Sequence, residues 1–359
     1  MAVLSENEIE KRVADSYELP NRVLDTMPEP LVTVRTSTYQ HAPFIRECIE
    51  GVLMQKTDFP VEFIIGEDCS TDGTRELVKE YAQAYPNAIR VLTADYNVGA
   101  KANGRRCRRA SRGKYMALCE GDDYWTDPRK LQKQVDLFEG CPEMSISGHY
   151  VSVVRLGDRP GASILPKAPG GASFTMVDVL SGHLLGTCSM MFRVALLDSE
   201  AHRRLVRDLP MGDVPLLAML AERGQIGFVP ECMGVYRIHG GGVWSPKGKP
   251  QKLRDNIMML GGLRKHLGAE HHVTIDGILW RKRRELVLAT LREGKRSEAS
   301  QLARQHLSAC RSARREPGSS TRGCSTTGQA LGLVLRCHLP FLFRMRRVMR
   351  AAWRELRRG

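Results

Sequence analysis

The sequence predicts an α/β protein with a doubly wound mixed sheet, followed by a helical and basic C-terminal extension. Apolar, β-branched segments alternate with segments of helical periodicity between residues 31 and 119, a pattern typical of parallel βαβ units. Beyond residue 250 the periodicity is helical only. Positive charge is also uneven, because residues 251–359 hold 24 basic and 8 acidic side chains, whereas residues 1–250 hold 30 and 32.

The alternating part is justified element by element. Predicted strands are the short apolar runs Leu31–Thr36, Val61–Gly66, Ile89–Thr93 and Tyr115–Cys119. Predicted helices place apolar residues on one side, and they are Pro43–Met54, Asp72–Tyr85 and Lys101–Ala110. Since parallel strands are joined by crossover helices, these segments form one sheet with helices on both faces.

The pattern changes after residue 140. We expect strands at Met144–Arg155 and Gly186–Val194, a short helix at Pro215–Ala221, and two short strands within Ile226–Ile238. The extension is expected to hold helices at Lys252–Leu267, Ile275–Leu291 and Ser297–Ala309. The resulting regions are a polar lead-in (1–29), an α/β domain (30–246), a helical region (247–310), a Ser/Gly/Arg-rich linker (311–330) and a basic tail (331–359).

Ordinary globular composition and the absence of a long apolar run favour a cytoplasmic protein. Apolar residues make up 42% of the chain, and no uninterrupted run approaches the ~20 residues of a membrane-spanning helix. The N-terminal segment has no apolar core of the kind found in signal peptides. Ten cysteines are scattered without metal-binding spacing, as expected for free thiols in a reducing compartment.

Acidic residues cluster where two of the predicted parallel strands end. Glu67 and Asp68 follow one strand, and the sequence EGDD (120–123) follows another. The carboxyl ends of such strands form the ligand-binding edge of a doubly wound sheet. Three carboxylates within four residues repel one another unless a cation lies between them, and hard oxygen ligands suit Mg²⁺ or Mn²⁺.

Structural alternatives exist for both clusters. In the first, Ser70 or Asp72 caps the next helix and Gly73 permits the turn before it. In the second, a solvated loop leads to the helix that begins near Asp127 and Pro128. Capping does not explain why Glu67 and Asp68 are also acidic.

Four separated segments resemble family 2 glycosyltransferases, and they occur in the expected order. They contain the sequences TYQHAPFIRECIEGVLMQKTDFPVEFIIGEDCSTDGT (38–74), KYMALCEGDDYWTDPRKLQKQVDLFE (114–139), GTCSMMFR (186–193) and VYRIHGGGVWS (235–245). The resemblance implies a Rossmann-like GT-A fold over residues 30–246. It also implies transfer of a sugar from a nucleotide diphosphate sugar, with UDP as the expected nucleotide, to an acceptor hydroxyl with inversion.

The resemblance also implies roles for individual residues. Positions that match the nucleotide-sugar site of the family are Thr38, Tyr39, Glu67, Asp68, Asn97, Glu120 and Asp122. Positions that match the family's metal site are Asp122, Asp123 and His239, with Mn²⁺ or Mg²⁺ as the cofactor. Glu120 stands where the family usually has Asp. For His239 the alternatives are a phosphate contact or an ordinary residue of a glycine-rich loop.

Asp213 matches the general base of the family. An inverting transfer needs one carboxylate to take the proton of the attacking hydroxyl, while the metal stabilises the departing diphosphate. The alternative is that Asp213 only caps the helix that begins near Val214 and Pro215.

The implied setting is the assembly of cell-surface polysaccharide or lipopolysaccharide, with a saccharide or lipid-linked acceptor. One rival is a nucleotidyltransferase of related α/β fold, which would carry a Gly-rich, basic loop after the first strand; STYQHAP is not such a loop. Another rival is a nucleic-acid-binding protein that uses the basic tail, since the near-neutral charge of residues 1–250 argues only against a nucleic-acid surface spread over the whole molecule.

The tail, residues 331–359, places apolar side chains at helical spacing with arginines between them. Examples are Leu342, Met345, Met349 and Trp353. A cationic amphipathic helix of this kind suits the anionic inner face of the plasma membrane. Packing on the protein's own surface and binding of RNA or DNA are the alternatives.

The tail hypothesis predicts that a chain lacking residues 331–359 no longer binds anionic membranes. We expect the full chain, but not the shortened one, to co-sediment with phosphatidylglycerol vesicles and to be released by salt, because the attraction is electrostatic. Vesicles of phosphatidylcholine and a labelled RNA serve as controls. Continued co-sedimentation of the shortened chain would refute the hypothesis.

Overall fold

The computed structural model describes residues 4–21, 28–155, 163–166, 174–182, 185–197, 199–207, 209, 211–242, 244 and 246–313. The chain divides into two compact units, one with residues up to 208 and 212–245, the other with 209–211 and the residues from 246 onward. The predicted tail, 331–359, and the predicted linker beyond residue 313 lie outside the described residues.

The first unit contains one mixed sheet. Its strands are β1 (Tyr17–Glu18), β2 (Val32–Thr38), β3 (Val61–Glu67), β4 (Ile89–Thr93), β5 (Tyr115–Leu118), β6 (Tyr124–Trp125), β7 (Met144–Arg155), β8 (Ile164–Leu165), β9 (Met191–Arg193) and β10 (Gln225–Ile238). The order is β1-β4-β3-β2-β5-β9-β7-β10-β6, with β8 paired to β7. Strands β4, β3, β2 and β5 are parallel, and β9 joins β5 and β7 in antiparallel pairing. The predicted doubly wound mixed sheet is confirmed.

Helices cover both faces of this sheet. They are α1 (Glu6–Ala14), α2 (Ile45–Leu53), α3 (Thr74–Ala84), α4 (Ala100–Ala110), α5 (Lys130–Glu139), α6 (Met176–Ser181), α7 (Ser199–Val206) and α8 (Asp213–Ala221). In the main core, Ile45 and Ile49 of α2 pack with Val34 and Ile65 of the central strands, and all four are fully buried. The parallel βαβ order thereby brings the ends of β2, β3 and β5 to one edge.

The second unit is helical, as expected. It consists of α9 (Lys249–His266), α10 (His272–Arg292) and α11 (Arg296–Ala313). Leu253 of α9 packs with Leu286 and Ala289 of α10, and Arg264 forms an ion pair with Asp276 at 2.7 Å. Among the residues that the structure describes, no helix combines the length and the apolar character that crossing a bilayer requires.

The segment expected to be a polar lead-in contains folded structure. Helix α1 buries Ile9 against Ala94, Val98 and Ala102, and β1 pairs with β4 at the end of the sheet. Few apolar residues mark α1 in the sequence, because much of its contact with α4 consists of ion pairs of Glu6 and Glu10. Its partner residues lie about a hundred positions away, where no local pattern reveals them.

Two other segments differ in detail from the sequence-based expectation. The strand expected at Gly186–Val194 is a 3₁₀ turn, Thr187–Ser189, followed by the three-residue strand β9. The two short strands expected within Ile226–Ile238 form the single strand β10, which runs parallel to β7 with bulges near Cys232. These bulges break the apolar alternation, which explains why the sequence indicated two elements.

Helix α4 lies directly against β3, and a glycine makes this approach possible. The side-chain amide of Asn103 donates to the carbonyl oxygen of Gly66 at 2.8 Å. A Cβ atom at Gly66 would overlap the side chains of Asn103 and Cys107. The close packing fixes the N-terminal end of α4 next to the end of β3.

A methyl group at position 66 should therefore destabilise the first unit. We expect Gly66→Ala to lower the free energy of unfolding by about 1–3 kcal/mol, since overpacking forces α4 away from the sheet. Gly104→Ala on the same helix is the matched control: its Cβ would lie 3.5 Å from its nearest neighbour, and Ala is the better helix former. Urea denaturation measures both, and equal stability of the two variants would contradict the packing argument.

Candidate functional site

The loops that follow β2, β3 and β5 form one hydrogen-bonded surface at the carboxyl edge of the sheet. The amide of Asp68 donates to the carbonyl of Thr38, and that of Gly121 to the carbonyl of Ser37, both at 3.0 Å. A Cβ atom at Gly121 would lie 2.6 Å from the Thr38 hydroxyl, so only glycine permits this approach. This edge contains most of the residues that the sequence predicted for the nucleotide-sugar and metal sites.

Glu67 faces the interior. Its side chain is fully buried and accepts hydrogen bonds from the amides of Ser70 (2.6 Å) and Cys69 (3.2 Å) and from the hydroxyl of Thr93 (3.1 Å). The turn that supplies these amides places Cys69 at a φ of 59°. The buried carboxylate of Glu67 therefore fixes the conformation of the loop that follows β3.

Asp68 holds the start of α4. Its two oxygens accept the amides of Val98 (2.7 Å) and Gly99 (2.9 Å), and burial raises the pKa of the carboxyl group. The side-chain amide of Asn97 donates to the Asp68 carbonyl at 3.2 Å, although Asn97 itself is exposed. Asp68 and Asn97 thus join the loop after β3 to the loop that leads into α4.

Asp72 is not the helix cap that was one alternative, because Gly73 is the N-cap of α3 and has no side-chain cap; Asp72 instead ties two loops together. It accepts the amide of Thr74 at 3.1 Å and that of Ala42 at 3.0 Å, while Gly73 adopts a φ of 99°. Beside it, Gln40 exchanges two side-chain hydrogen bonds with Thr71. These contacts fix the loop after β2.

Tyr39 and Thr38 differ in accessibility within that loop. Tyr39 is 45% exposed, an unusual position for a large aromatic side chain at a ligand-binding edge. Thr38 is buried, and its hydroxyl lies 3.3 Å from Nδ1 of His41. Tyr39 therefore offers a free ring face, whereas Thr38 orients its neighbour.

In the loop after β5, two acids are held by protein groups. Glu120 pairs with the Arg35 guanidinium at 2.9 Å, and burial raises the pKa of Glu120. Asp123 is 1% exposed and accepts the backbone amide of Arg237 at 2.8 Å. Burial and the charge of Asp122 raise the pKa of Asp123 well above its usual value.

Asp122 is the acid of this loop that meets two histidines. Its Oδ2 lies 3.0 Å from Nε2 of His239 and 4.0 Å from Nε2 of His41. One ligand atom from each of these three residues lies within 4.8 Å of the others. Burial lowers the pKa of His41, which favours the neutral imidazole that a metal binds. Two imidazole nitrogens and a carboxylate oxygen are a suitable donor set for a divalent transition metal.

This cluster differs from the metal site predicted from the sequence, because it contains His41 and lacks Asp123. Asp122 and His239 are in it, whereas Asp123 is turned toward the backbone of β10. His41 was not recognised, because a lone histidine in a loop carries no spacing signal. Its position three residues after a strand end, on the edge that holds the acids, was the available clue.

Arg237, near the end of β10, binds to the loop that follows β5. Its guanidinium donates to the Asp122 carbonyl at 2.9 Å, lies 4.2 Å from the ring centroid of Tyr124 and forms an ion pair with Glu47. Burial lowers the pKa of Arg237 to about 10. The neighbouring His239 is held by the Phe44 ring, at 4.6 Å between centroids.

Asp213 is the first residue of α8, and Gly212 occupies the N-cap position without a side-chain cap. The structure therefore does not place Asp213 in the capping role. Among the described residues, the Asp213 carboxylate has no hydrogen bond or ion-pair partner. Burial raises the pKa of Tyr236, and the charges of Asp123, Asp122 and Asp213 raise it further. Asp213 is therefore close enough to Tyr236 for its charge to affect that tyrosine, as the charges of Asp122 and Asp123 also do.

Part of the chain matches a known protein family. Residues 33–198 match the family described as Glycosyl transferase family 2. An uncharacterized protein of Mycobacterium tuberculosis is 36% identical over 217 residues, which are 59% of this chain and 60% of the relative. The chain thus spans about 60% of that relative's length.

Two further proteins are similar over longer shares of their length. The putative teichuronic acid biosynthesis glycosyltransferase TuaG of Bacillus subtilis is 26% identical over 230 residues, 62% of this chain and 85% of TuaG. The mannosyltransferase PcManGT of Pyrobaculum calidifontis, solved with GDP-Man and Mn²⁺, has a TM-score of 0.53 and 16% identity over 88% of each chain. This structural likeness shows the GT-A fold.

The geometry predicts different effects for the two adjacent aspartates. Asp122→Asn should weaken binding of Mn²⁺ together with a nucleotide diphosphate at least tenfold, because it removes the negatively charged oxygen between the histidines. Asp123→Asn should keep that binding, since its amide oxygen can still accept the Arg237 amide. Titration calorimetry measures both variants. The same loss in both, or in neither, would contradict the placement of the two side chains.

Proposed function

We propose that the protein transfers a sugar from a nucleotide diphosphate sugar to an acceptor hydroxyl, with inversion at the anomeric carbon. Support comes from residues 33–198, which match the family described as Glycosyl transferase family 2. The observation that carries this proposal is that two acidic residues, Asp122 and Asp213, lie on different elements and have different surroundings. Asp122 lies with two histidines in a metal-binding arrangement, whereas Asp213 lies on another element with no hydrogen-bond partner among the described residues.

The donor lies along the carboxyl edge of the sheet. Tyr39, exposed at this edge, stacks on the base, and Thr38, Asp68 and Asn97 line the adjoining loops. Glu67 acts indirectly by holding its turn. Support for this donor class comes from PcManGT, a protein of the same fold solved with GDP-Man. We retain UDP as the expected nucleotide of this chain.

A divalent cation would be held by His41, Asp122 and His239, in place of the set with Asp123. When bound, it supplies positive charge that stabilises the departing diphosphate. The two imidazole nitrogens favour Mn²⁺ over Mg²⁺, which prefers oxygen ligands. Glu120, tied to Arg35, lies beside this set and orients the loop or a ribose hydroxyl.

Asp213 acts as the general base. Its carboxylate accepts the proton of the acceptor hydroxyl as that oxygen attacks the sugar from the face opposite the diphosphate. Because none of the described residues donates a hydrogen bond to its carboxylate, Asp213 can accept the proton without losing such a contact.

We propose surface polysaccharide or lipopolysaccharide assembly as the setting, with a saccharide or lipid-linked acceptor. The name of TuaG, a putative teichuronic acid biosynthesis enzyme, supports this setting. A cationic tail that holds the enzyme at the inner face of the membrane would bring it to a lipid-linked acceptor. A nucleotidyltransferase function is not favoured, since the family match is to glycosyltransferases.

The base assignment predicts a separation of binding from chemistry. Asp213→Asn should reduce transfer by a factor of at least 10³ and leave the dissociation constant for the nucleotide diphosphate within about threefold, because a neutral amide cannot accept the proton. Asp58→Asn, at an exposed position of the same unit, is the matched control. Loss of nucleotide binding in Asp213→Asn would assign that residue to the fold or the donor site instead.

The donor is identified with the full chain and a thermal-shift panel of nucleotide sugars, each with and without Mn²⁺. A bound donor raises the unfolding midpoint by mass action. The transferase proposal requires at least one nucleotide sugar whose effect depends on Mn²⁺ and disappears in Asp122→Asn.

A further inference from the structure

A second group of basic side chains lies away from the metal-binding arrangement, where β2, α4 and α7 meet. We call it the arginine cluster, and its members are Arg35, Arg105, Arg108, His202 and Arg203. The side chain of Arg35 extends from β2 to α4. A Cβ atom placed on Gly104 of α4 would lie 3.5 Å from Nη1 of Arg35, which is its nearest neighbour. Arg108 follows Gly104 by four residues and thus lies on the same side of α4.

One acidic side chain ties α7 to α4. A single carboxylate oxygen of Glu6 lies 2.7 Å from Arg105 of α4 and 4.0 Å from Arg203 of α7. The amine of Lys101 also donates to the carbonyl of Arg207, just after α7, at 2.6 Å. His202 and Arg203 are therefore held against the arginines of α4.

The surrounding acids do not balance this positive charge. The guanidinium groups in and next to the cluster are those of Arg35, Arg105, Arg108, Arg109 and Arg203, and the carboxylates paired with them are those of Glu6, Glu10 and Glu120. Five cations thus share three anions among the described residues. Arg108 has no acidic partner there, although it lies at the centre of the group.

Three nitrogens of the cluster are buried and have no hydrogen-bond partner among the residues that the structure describes. They are Nε of Arg35, Nη1 of Arg108 and Nε2 of His202. The two arginine nitrogens are obligatory donors, and Nε2 of a neutral histidine donates in one of its tautomers. A buried donor left without an acceptor costs about 1–3 kcal/mol, so three in one place indicate that an acceptor belongs there.

The titration behaviour of the two central residues agrees with this excess of charge. Burial, followed by the charges of Arg105 and Arg203, lowers the pKa of Arg108 to about 10. Burial and the charge of Arg108 lower the pKa of His202 to about 4, so His202 is a neutral donor at physiological pH. An anion between them would relieve the repulsion.

We propose that Arg35, Arg108 and His202 form a binding site for a dianionic phosphate group. Phosphate offers several acceptor oxygens, enough for three donors at once, whereas a water molecule accepts only two hydrogen bonds. Its two negative charges equal the excess of two cations. The site takes free inorganic phosphate or the phosphate of a monoester, and it does not depend on the transferase activity.

Binding is tested on the full chain in phosphate-free buffer with EDTA, so that no divalent metal contributes. Sodium phosphate should raise the unfolding midpoint of the unmodified protein, compared with sodium chloride at equal ionic strength. Arg108→Met should lose at least tenfold in phosphate affinity. It should also unfold at a higher midpoint than the unmodified protein in chloride, because it removes an unpaired charge.

Two controls separate binding at this site from a general effect of lost positive charge. Arg109→Met changes a neighbouring arginine that is 46% exposed, and it should keep the phosphate response. His202→Gln, which retains a donor, should bind phosphate, whereas His202→Leu should bind it at least tenfold more weakly. A lower midpoint of Arg108→Met in chloride together with an intact phosphate response would refute the site.

The source of the phosphate is decided by comparing inorganic phosphate with glycerol 3-phosphate. Tighter binding of the ester assigns the site to an organic phosphomonoester, and equal or weaker binding assigns it to free phosphate. No response of the unmodified protein to either compound overturns the proposal. So does loss of the response in Asp122→Asn, since the phosphate would then lie at the metal-binding arrangement.

Discussion

The first unit depends on how it accommodates negative charge at the carboxyl edge of its sheet. Six carboxyl groups occur in two loops that hydrogen bond to the same strand, β2, and they are those of Glu67, Asp68, Asp72, Glu120, Asp122 and Asp123. Left in water-poor surroundings without partners, such groups would repel one another and open the loops. Most of them are instead fixed by nearby donors, and the path of the backbone follows from those contacts.

Each of these contacts has a structural result. Glu67 closes the turn after β3, Asp68 binds the two backbone amides that precede α4, and Glu120 is held by Arg35 of β2. Asp123 is buried and accepts the amide of Arg237, and burial with the charge of Asp122 raises the pKa of Asp123 well above its usual value. Only then is Asp122 presented to two histidines on a rigid base, the preorganisation that metal sites require.

The sequence predicted the main strands and helices, but it did not predict which acidic side chains form hydrogen bonds within the protein. Apolar, β-branched runs identified β2, β3 and β5, and strand order placed their ends at one edge. Glu67 ends one buried strand and Asp122 follows another, yet Glu67 closes a turn and Asp122 faces two histidines. That difference depends on which backbone amides the turns present, which is a tertiary property. The contribution of His41 and the docking of α1 depend on distant residues for the same reason.

The near-zero net charge of residues 1–250 conceals two regions of opposite sign. The carboxyl edge is acidic and the arginine cluster is basic, and Arg35 belongs to both. Its Nη2 binds Glu120, while its Nε has no hydrogen-bond partner in the described part of the chain. A guanidinium has five N–H groups in a planar fork, so one side chain can hold a carboxylate and a second acceptor simultaneously. A lysine at position 35 could not do so with fixed geometry, so the link between the acidic loop and the cluster depends on an arginine at this position.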